Sequence, residues 1–208
     1  MTRLSSTIIQ HIEAMCEAEN ASMAYFYFDF RDANKQSLYG LVTSLLAQLS
    51  VCSDSRCKVL SNLYVAHAEG LKQPSDRTLA ECLKEMLTIP DRRPIYLIID
   101  GLDESLDVSG FPLPREGVLE LLKELVGLCL TNLHVCVTSC PETDIRYAVE
   151  PLASHQISLH DQSGQKKDIE DYIRSFVYSS SELFMRKWKT EDKEHVIETL
   201  SERAGSDV

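Results

Sequence analysis

The stretch Ile95-Tyr96-Leu97-Ile98-Ile99-Asp100-Gly101-Leu102-Asp103-Glu104-Ser105 decides the fold. Apolar residues run from Ile95 to Ile99 without polar alternation, and most are strong β-formers. That is the pattern of a strand buried on both faces of a parallel sheet. Asp100, Asp103 and Glu104 follow at once. Unpaired carboxylates are costly to bury, so they belong at the rim of the sheet. In open α/β sheets, ligands bind at the rim formed by the carboxyl ends of the strands. Acids there suit a hard cation such as Mg2+, which takes oxygen ligands and usually arrives with phosphates.

Working outward, apolar residues recur at helical spacing on both sides of this strand. Leu4, Ile8, Ile9, Ile12 and Cys16 predict a helix over Leu4 to Ala18. Leu38, Leu41, Val42, Leu45, Leu46 and Leu49 predict a second, and Val59, Leu60, Leu63 and Ala66 a third that ends near Gly70. A fourth spans Leu79 to Leu87, with Ser75 or Asp76 as N-cap. Val118 to Leu130, Lys166 to Tyr178 and Glu191 to Arg203 read as further helices. Strands are expected at Ala24 to Phe30, Leu133 to Ser139 and Ile157 to Leu159, and Pro141 bars continuation of the second. Ser109 to Gly117, with two glycines and two prolines, reads as a loop. Strands alternating with helices imply an α/β fold with a parallel sheet flanked by helices.

Composition narrows the function. The 208 residues suffice for one full core with a small appendage. A formal net charge of −11 argues against a nucleic-acid surface, which needs a basic stripe. No apolar run reaches the roughly 18 residues needed to span a bilayer, and the N-terminus leads into an amphipathic pattern instead of a signal segment. The seven scattered cysteines read as reduced thiols of a cytoplasmic protein.

The acidic strand end has a definite chemical use. A carboxylate at a strand tip holds Mg2+ in phosphoryl-transfer NTPases, and Asp100 is placed for it. Gly101 removes a side chain where the backbone passes close to metal and phosphate. Asp103 or Glu104 could orient or deprotonate an attacking water. The competing interpretation is a solvated turn that merely ends a strand.

I-Y-L-I-I-D-G-L-D-E resembles the Walker B segment of NACHT-type NTPases, in the STAND signal-transduction branch of the P-loop fold. Further stretches resemble the nephrocystin-3-like N-terminal domain typical of fungal proteins. They are A-Y-F-Y-F-D-F-R-D with Lys35-Gln36-Ser37 and Leu45-Leu46-Ala47-Gln48-Leu49, then V-C-V-T-S-C-P-E from Val135 to Glu142, which resembles a sensor-1 strand. The last is I-S-L-H-D with Asp168-Ile169 and Asp171-Tyr172-Ile173. The resemblance implies an NTPase core over residues 1–162, a helical extension over 163–208, Mg2+ and ATP or GTP as ligands, and protein partners or self-association. It places Asp100 on the metal, Asp103 and Glu104 near the water, and Gly101, Ser139 and Cys140 beside the nucleotide.

Two departures qualify it. The Walker A motif G-x-x-x-x-G-K-[ST], whose glycines cradle the phosphates and whose Lys reaches them, occurs nowhere in the sequence. The family's helix after that loop resembles Leu4 to Glu13, so the first strand and its loop are expected to belong before Met1 and to be missing. ATP is then expected to bind weakly or not at all, and a sheet lacking a strand is expected to leave backbone edges unpaired. Second, the family's T-S-R-P reads T-S-C-P here, and Cys140 cannot present the charged fork of an Arg to phosphate. Arg146, a few residues on, could compensate. The implied function is a fragment of a nucleotide-dependent switch, not competent for hydrolysis alone. The alternative is a non-catalytic interaction or remnant module that keeps only the fold.

Other constellations are weaker. Cys52, Cys57 and His67 fit no common zinc spacing. Cys136 and Cys140 fall on one face of one strand, and Cys140 with His155 or His160 lacks an activating context for a nucleophile pair. Tyr25 to Phe30 read as sheet core instead of a stacking platform. Lys166-Lys167 and Arg186-Lys187 read as solvated helix faces, and Arg92-Arg93 as a cap at the far end of the sheet.

Overall fold

The computed structural model describes residues 3–105, 114–158, 165–178 and 188–204. The chain divides into two compact units, Met1–Ala153 and Ser154–Val208. The expected boundary at 162/163, together with Leu159, His160 and Arg186-Lys187, lies outside the described residues, as do the side chains of Lys166 and Lys167.

The first unit is built on a three-stranded parallel sheet in the order β1-β2-β3, with β1 at Ser22–Tyr27, β2 at Ile95–Asp100 and β3 at Leu133–Val137. Ser22 pairs with Ile95 and Tyr27 with Asp100, while Ile95 pairs with Leu133 and Ile99 with Val137. All three strands therefore finish at the same rim. The apolar run is the central strand, and Ile95, Leu97, Ile98 and Ile99 are buried.

Helices cover both faces. α1 (Arg3–Glu17) lays Ile9 and Ile12 against Ile98 on one face. The main core, on the other, joins α2 (Leu38–Ser50), α4 (Asp76–Thr88) and α5 (Pro114–Gly127) to Ala24, Phe26, Leu97 and Ile99. α3 (Asp54–Ala66) packs on α2 and α4. Serine caps start three of these helices: Ser37 Oγ accepts from Gly40 N–H at 3.2 Å, Ser53 Oγ from Arg56 N–H at 3.3 Å, and Ser75 Oγ from Thr78 N–H at 3.2 Å. Gly40 is needed for space, since a Cβ there would lie 2.0 Å from the Asn34 carbonyl oxygen. Apolar stripes buried beneath capped first turns explain why the helical expectations hold to within a few residues.

Several expectations are corrected. α5 begins at Pro114, so the tail of the expected Ser109–Gly117 loop is helical; proline fits a first helical turn, where its missing N–H costs nothing. The β1 and β3 strands end at Tyr27 and Val137, earlier than expected. Cys140 thus lies beyond β3 and shares no strand face with Cys136. Phe26 and Phe28 are core, but Phe30 is 68 % exposed. Ile157 and Ser158 form no strand. A short helix, α6 (Thr143–Val149), was not foreseen.

The second unit contains α7 (Gln165–Val177) and α8 (Thr190–Ala204), which pack on each other. Arg174 joins them, pairing with Glu170 at 3.2 Å and Glu194 at 2.8 Å. Tyr178 Oη donates to the same Glu194 carboxylate at 2.8 Å.

Candidate functional site

Asp100 closes β2 and is only 4 % exposed. Its Oδ1 accepts hydrogen bonds from two hydroxyls, Ser5 Oγ and Thr138 Oγ1. Ser5 comes from the first turns of α1, so the amino end of that helix meets the carboxylate, where its partial positive charge favours an anion. Thr138 follows β3 directly. Its N–H donates to the Ile99 carbonyl at 2.9 Å, its carbonyl accepts from Leu102 N–H at 3.0 Å, and its hydroxyl oxygen accepts from Gly101 N–H at 3.1 Å. With its backbone and hydroxyl oxygen held, the hydroxyl proton is left to Asp100.

Gly101 turns the chain at φ +70°, the left-handed region that glycine enters without strain. A Cβ there would make only ordinary contacts, 3.5 Å to the Phe28 carbonyl oxygen and 3.7 Å to Glu104 Oε1. Conformation, not space, therefore explains the glycine within the chain. The turn lifts Leu102–Glu104 into one 3-10 turn, with Leu102 buried.

The three acids do not converge. Asp103 Oδ1 accepts from Cys140 N–H at 2.9 Å, and Glu104 Oε2 accepts from Phe30 N–H at 3.2 Å. Each thus ties the turn to a neighbouring strand end, Asp103 toward β3 and Glu104 toward β1. Among the described residues no group of three or more His, Cys, Asp or Glu could hold a metal ion. A cation held at Asp100 would meet that carboxylate beside the Ser5 and Thr138 hydroxyls. That is a hard oxygen set of the kind Mg2+ accepts while keeping most of its waters.

Ser139 is exposed, and its hydroxyl donates to the Cys140 carbonyl at 2.7 Å. The Cys140 thiol is exposed too, and its pKa is raised, chiefly by its hydrogen bond to Asp103, then by burial and nearby acids. A raised pKa suppresses the thiolate, so Cys140 is not activated as a nucleophile. Arg146 is engaged by Glu150 at 2.9 Å, one turn along α6.

Arg115 went unnoticed in the sequence. It is 5 % exposed, at the start of α5. Its Nη2 donates to the Asp103 and Ser105 carbonyls at 2.7 and 3.1 Å, its Nε to Ser105 Oγ at 3.2 Å, and its Nη1 to Glu142 and to Asp144 at 3.3 Å. Burial works against its charge, but the hydrogen bonds to Asp144 and Glu142 outweigh it and raise its pKa. Nothing in P-R-E-G, inside an apparent loop, announced a buried guanidinium. Ser5 was equally hidden, 95 positions from Asp100.

The profile of the family described as Nephrocystin 3, N-terminal matches residues 2–140. The chain belongs to that family. The matched span holds all three strands, Ser5, Arg115, Thr138 and every candidate residue from Asp100 to Cys140. No curated protein and no solved structure matches the chain. In this nephrocystin-3 N-terminal domain a cavity of about 440 Å³ lies between β1 and α2, lined by Phe26, Asn34, Ser37, Tyr39 and Thr43. None of the candidate residues borders it. No helix among the described residues is long and apolar enough to cross a membrane.

Proposed function

We propose that this chain is the metal-holding part of a nucleotide-dependent signalling switch of the NACHT type, built on a P-loop NTPase architecture. The observation that carries it is Asp100: a buried carboxylate at the tip of the central strand, met by the Ser5 hydroxyl from the amino end of α1 and the Thr138 hydroxyl after β3. When bound there, Mg2+ would neutralise charge on a nucleotide's phosphates. Asp100 would hold the ion, Ser5 and Thr138 would fix that carboxylate's direction, and Arg115 would keep the following turn in place. Asp103 and Glu104, each holding a backbone N–H, would have to release it before either could reach a water. The sequence carries no G-x-x-x-x-G-K-[ST], the motif whose backbone cradles a triphosphate, so weak affinity for ATP or GTP is the expected outcome.

A second reading, an interaction module that keeps the fold without the chemistry, is favoured by the employment of Asp103 and Glu104 as loop ties. Titration separates the two. Mg2+ at ten times its Kd should stabilise the chain by about 1.4 kcal/mol. Asp100→Asn should abolish that gain, and Mg-ATP should show no micromolar binding by calorimetry. Micromolar Mg-ATP binding would overturn the weak-affinity reading. A melt indifferent to Mg2+ would leave the interaction module.

A further inference from the structure

β1 lies between two helices that each end on a half-buried cysteine, Cys16 in the last turn of α1 and Cys52 just past α2. α2 runs against β1, since Phe26 sits beside Tyr39, Gly40, Thr43 and Ser44 while Tyr25, one residue earlier, is met by Gln48. The Gln48 amide accepts Tyr25 N–H at 3.0 Å and donates to the Tyr25 carbonyl at 2.7 Å. Four residues on, about 6 Å along a helix, the Cys52 thiol donates to the Gln48 carbonyl at 3.4 Å. Two residues back from Tyr25, about 7 Å along a strand, is Met23. Cys52 therefore stands level with Met23.

Cys16 reaches the same place from the other face of the sheet. It packs, as Met23 does, on the cluster of Ile9, Ile12 and Ile98. The chain then reverses, with Glu19 N–H on the Cys16 carbonyl at 2.9 Å and Asn20 N–H on the Met15 carbonyl at 3.0 Å, and enters β1 at Ser22. Ser22 is joined in turn to the segment that follows Cys52. Its hydroxyl accepts from the buried Arg56 at 2.9 Å, and Arg56 stands in the first turn of α3, which Ser53 caps. The electrostatics agree with this placement. The Cys16 pKa is raised first by burial and next by Cys52, ahead of Glu13 on the same helix, while Arg93 lowers it. Cys52 also acts on Arg93. The two thiols and the Arg93 guanidinium thus form one cluster at the start of β1.

We propose that Cys16 and Cys52 form a reversible disulfide within the chain, closed by a peroxide, that ties the end of α1 to the end of α2 beside β1. The step balances with the peroxide as oxidant. One thiol gives up its proton, and its sulfur attacks an oxygen of hydrogen peroxide. The O–O bond breaks, a sulfenic acid forms, and the departing hydroxide leaves as water with that proton. The second sulfur then attacks the first. The S–S bond forms, and the sulfenic hydroxyl leaves as a second water with the second thiol's proton. Two thiols have lost two electrons, and the peroxide has become two waters. A dithiol reverses the bond by exchange. Ser5 and Cys16 belong to the same helix, so oxidation also pins the helix that brings the Ser5 hydroxyl to Asp100.

Peroxide titration of the reduced full chain, dilute and read by mass spectrometry without reductant, tests this. Trypsin leaves Cys16 in residues 4–31 and Cys52 in residues 36–56, each with no other cysteine. A linked pair of these two peptides is expected from a chain that stays monomeric, and dithiothreitol should separate it. The oxidised chain should melt several degrees above the reduced one, because the bond restricts the unfolded loop from 16 to 52. Cys16→Ser and Cys52→Ser should each lose both the linked pair and the gain in melting temperature. Cys16 and Cys52 both left open to alkylation, while the exposed Cys57, Cys129 and Cys140 are oxidised, would overturn the proposal. So would a pair that links only once the chain is unfolded, or a linked chain that melts below the reduced one.

Discussion

Arg115 Nη2 lies 2.7 Å from the Asp103 carbonyl oxygen, so a buried cation at the start of α5 holds the turn that carries the acids. The same guanidinium reaches Glu142 and Asp144 beyond β3, and thereby ties the tips of β2 and β3 together. A planar fork with five donors can serve all of these acceptors at once, which an ammonium cannot. Arg115→Met leaves the Asp103 and Ser105 carbonyls without their donor and should cost roughly 3 kcal/mol in urea unfolding. Arg115→Lys should recover less than half of that loss. A cost within about 0.5 kcal/mol for Arg115→Met would show that the clamp is ornamental.

The opposite end of the sheet has its own buried cation. Arg56 is fully buried and donates to Ser22 Oγ at 2.9 Å, the Met86 carbonyl at 3.4 Å and Asp91 Oδ2 at 3.4 Å. Asp91 also takes a side-chain hydrogen bond from Arg93, and this is the first reason that its pKa is lowered. A carboxyl whose folded pKa lies below its unfolded value stabilises the protein above the unfolded value, near 4. That contribution is lost as pH falls from there through the folded pKa. Asp91→Asn, which also strands Arg56, should cost roughly 3 kcal/mol at pH 7. The gap from wild type should narrow steadily below about pH 4. Chemical melts across pH 3 to 7 measure it, and a gap constant over that range would contradict the pairing.

Cys140 gives a local probe of the acid turn. Its thiol is held protonated chiefly by Asp103. Asp103→Asn removes the charge that favours the thiol, so iodoacetamide should alkylate Cys140 several-fold faster at pH 8, read by mass spectrometry of the Cys140 peptide. The exposed Cys57 and Cys129 should react at unchanged rates in the same sample. An unchanged or slower Cys140 would mean that Asp103 does not govern the thiol.

What was legible in the sequence was whatever depends on period and local chemistry. The unbroken run Ile95 to Ile99 gave a central buried strand, because only a strand covered on both faces tolerates it. Ser75 was readable as a cap because its side chain bonds three residues on. The loop assigned to Ser109–Gly117 failed at its end, since Pro114 is compatible with a first helical turn as well as with a turn. The helix at Thr143–Val149 is too short for a periodic signal to stand out behind Pro141. In the site, Asp100 was legible as a strand-end acid. Its partners Ser5 and Thr138 were not assigned, because a serine early in an amphipathic helix carries no mark of what it will face. Arg56 and Arg115 were invisible for the converse reason: arginine is ordinarily a surface residue, and only the fold shows which ones are enclosed.

The account turns on Asp100 being where a divalent cation enters this rim. Mn2+, a paramagnetic stand-in for Mg2+, titrated into the 15N-labelled chain tests that most directly. Amide signals of Ser5, Gly101 and Thr138 should broaden first, and Asp100→Asn should erase the effect while leaving the rest of the spectrum in place. Broadening centred instead on exposed acids elsewhere, or unchanged by Asp100→Asn, would contradict it.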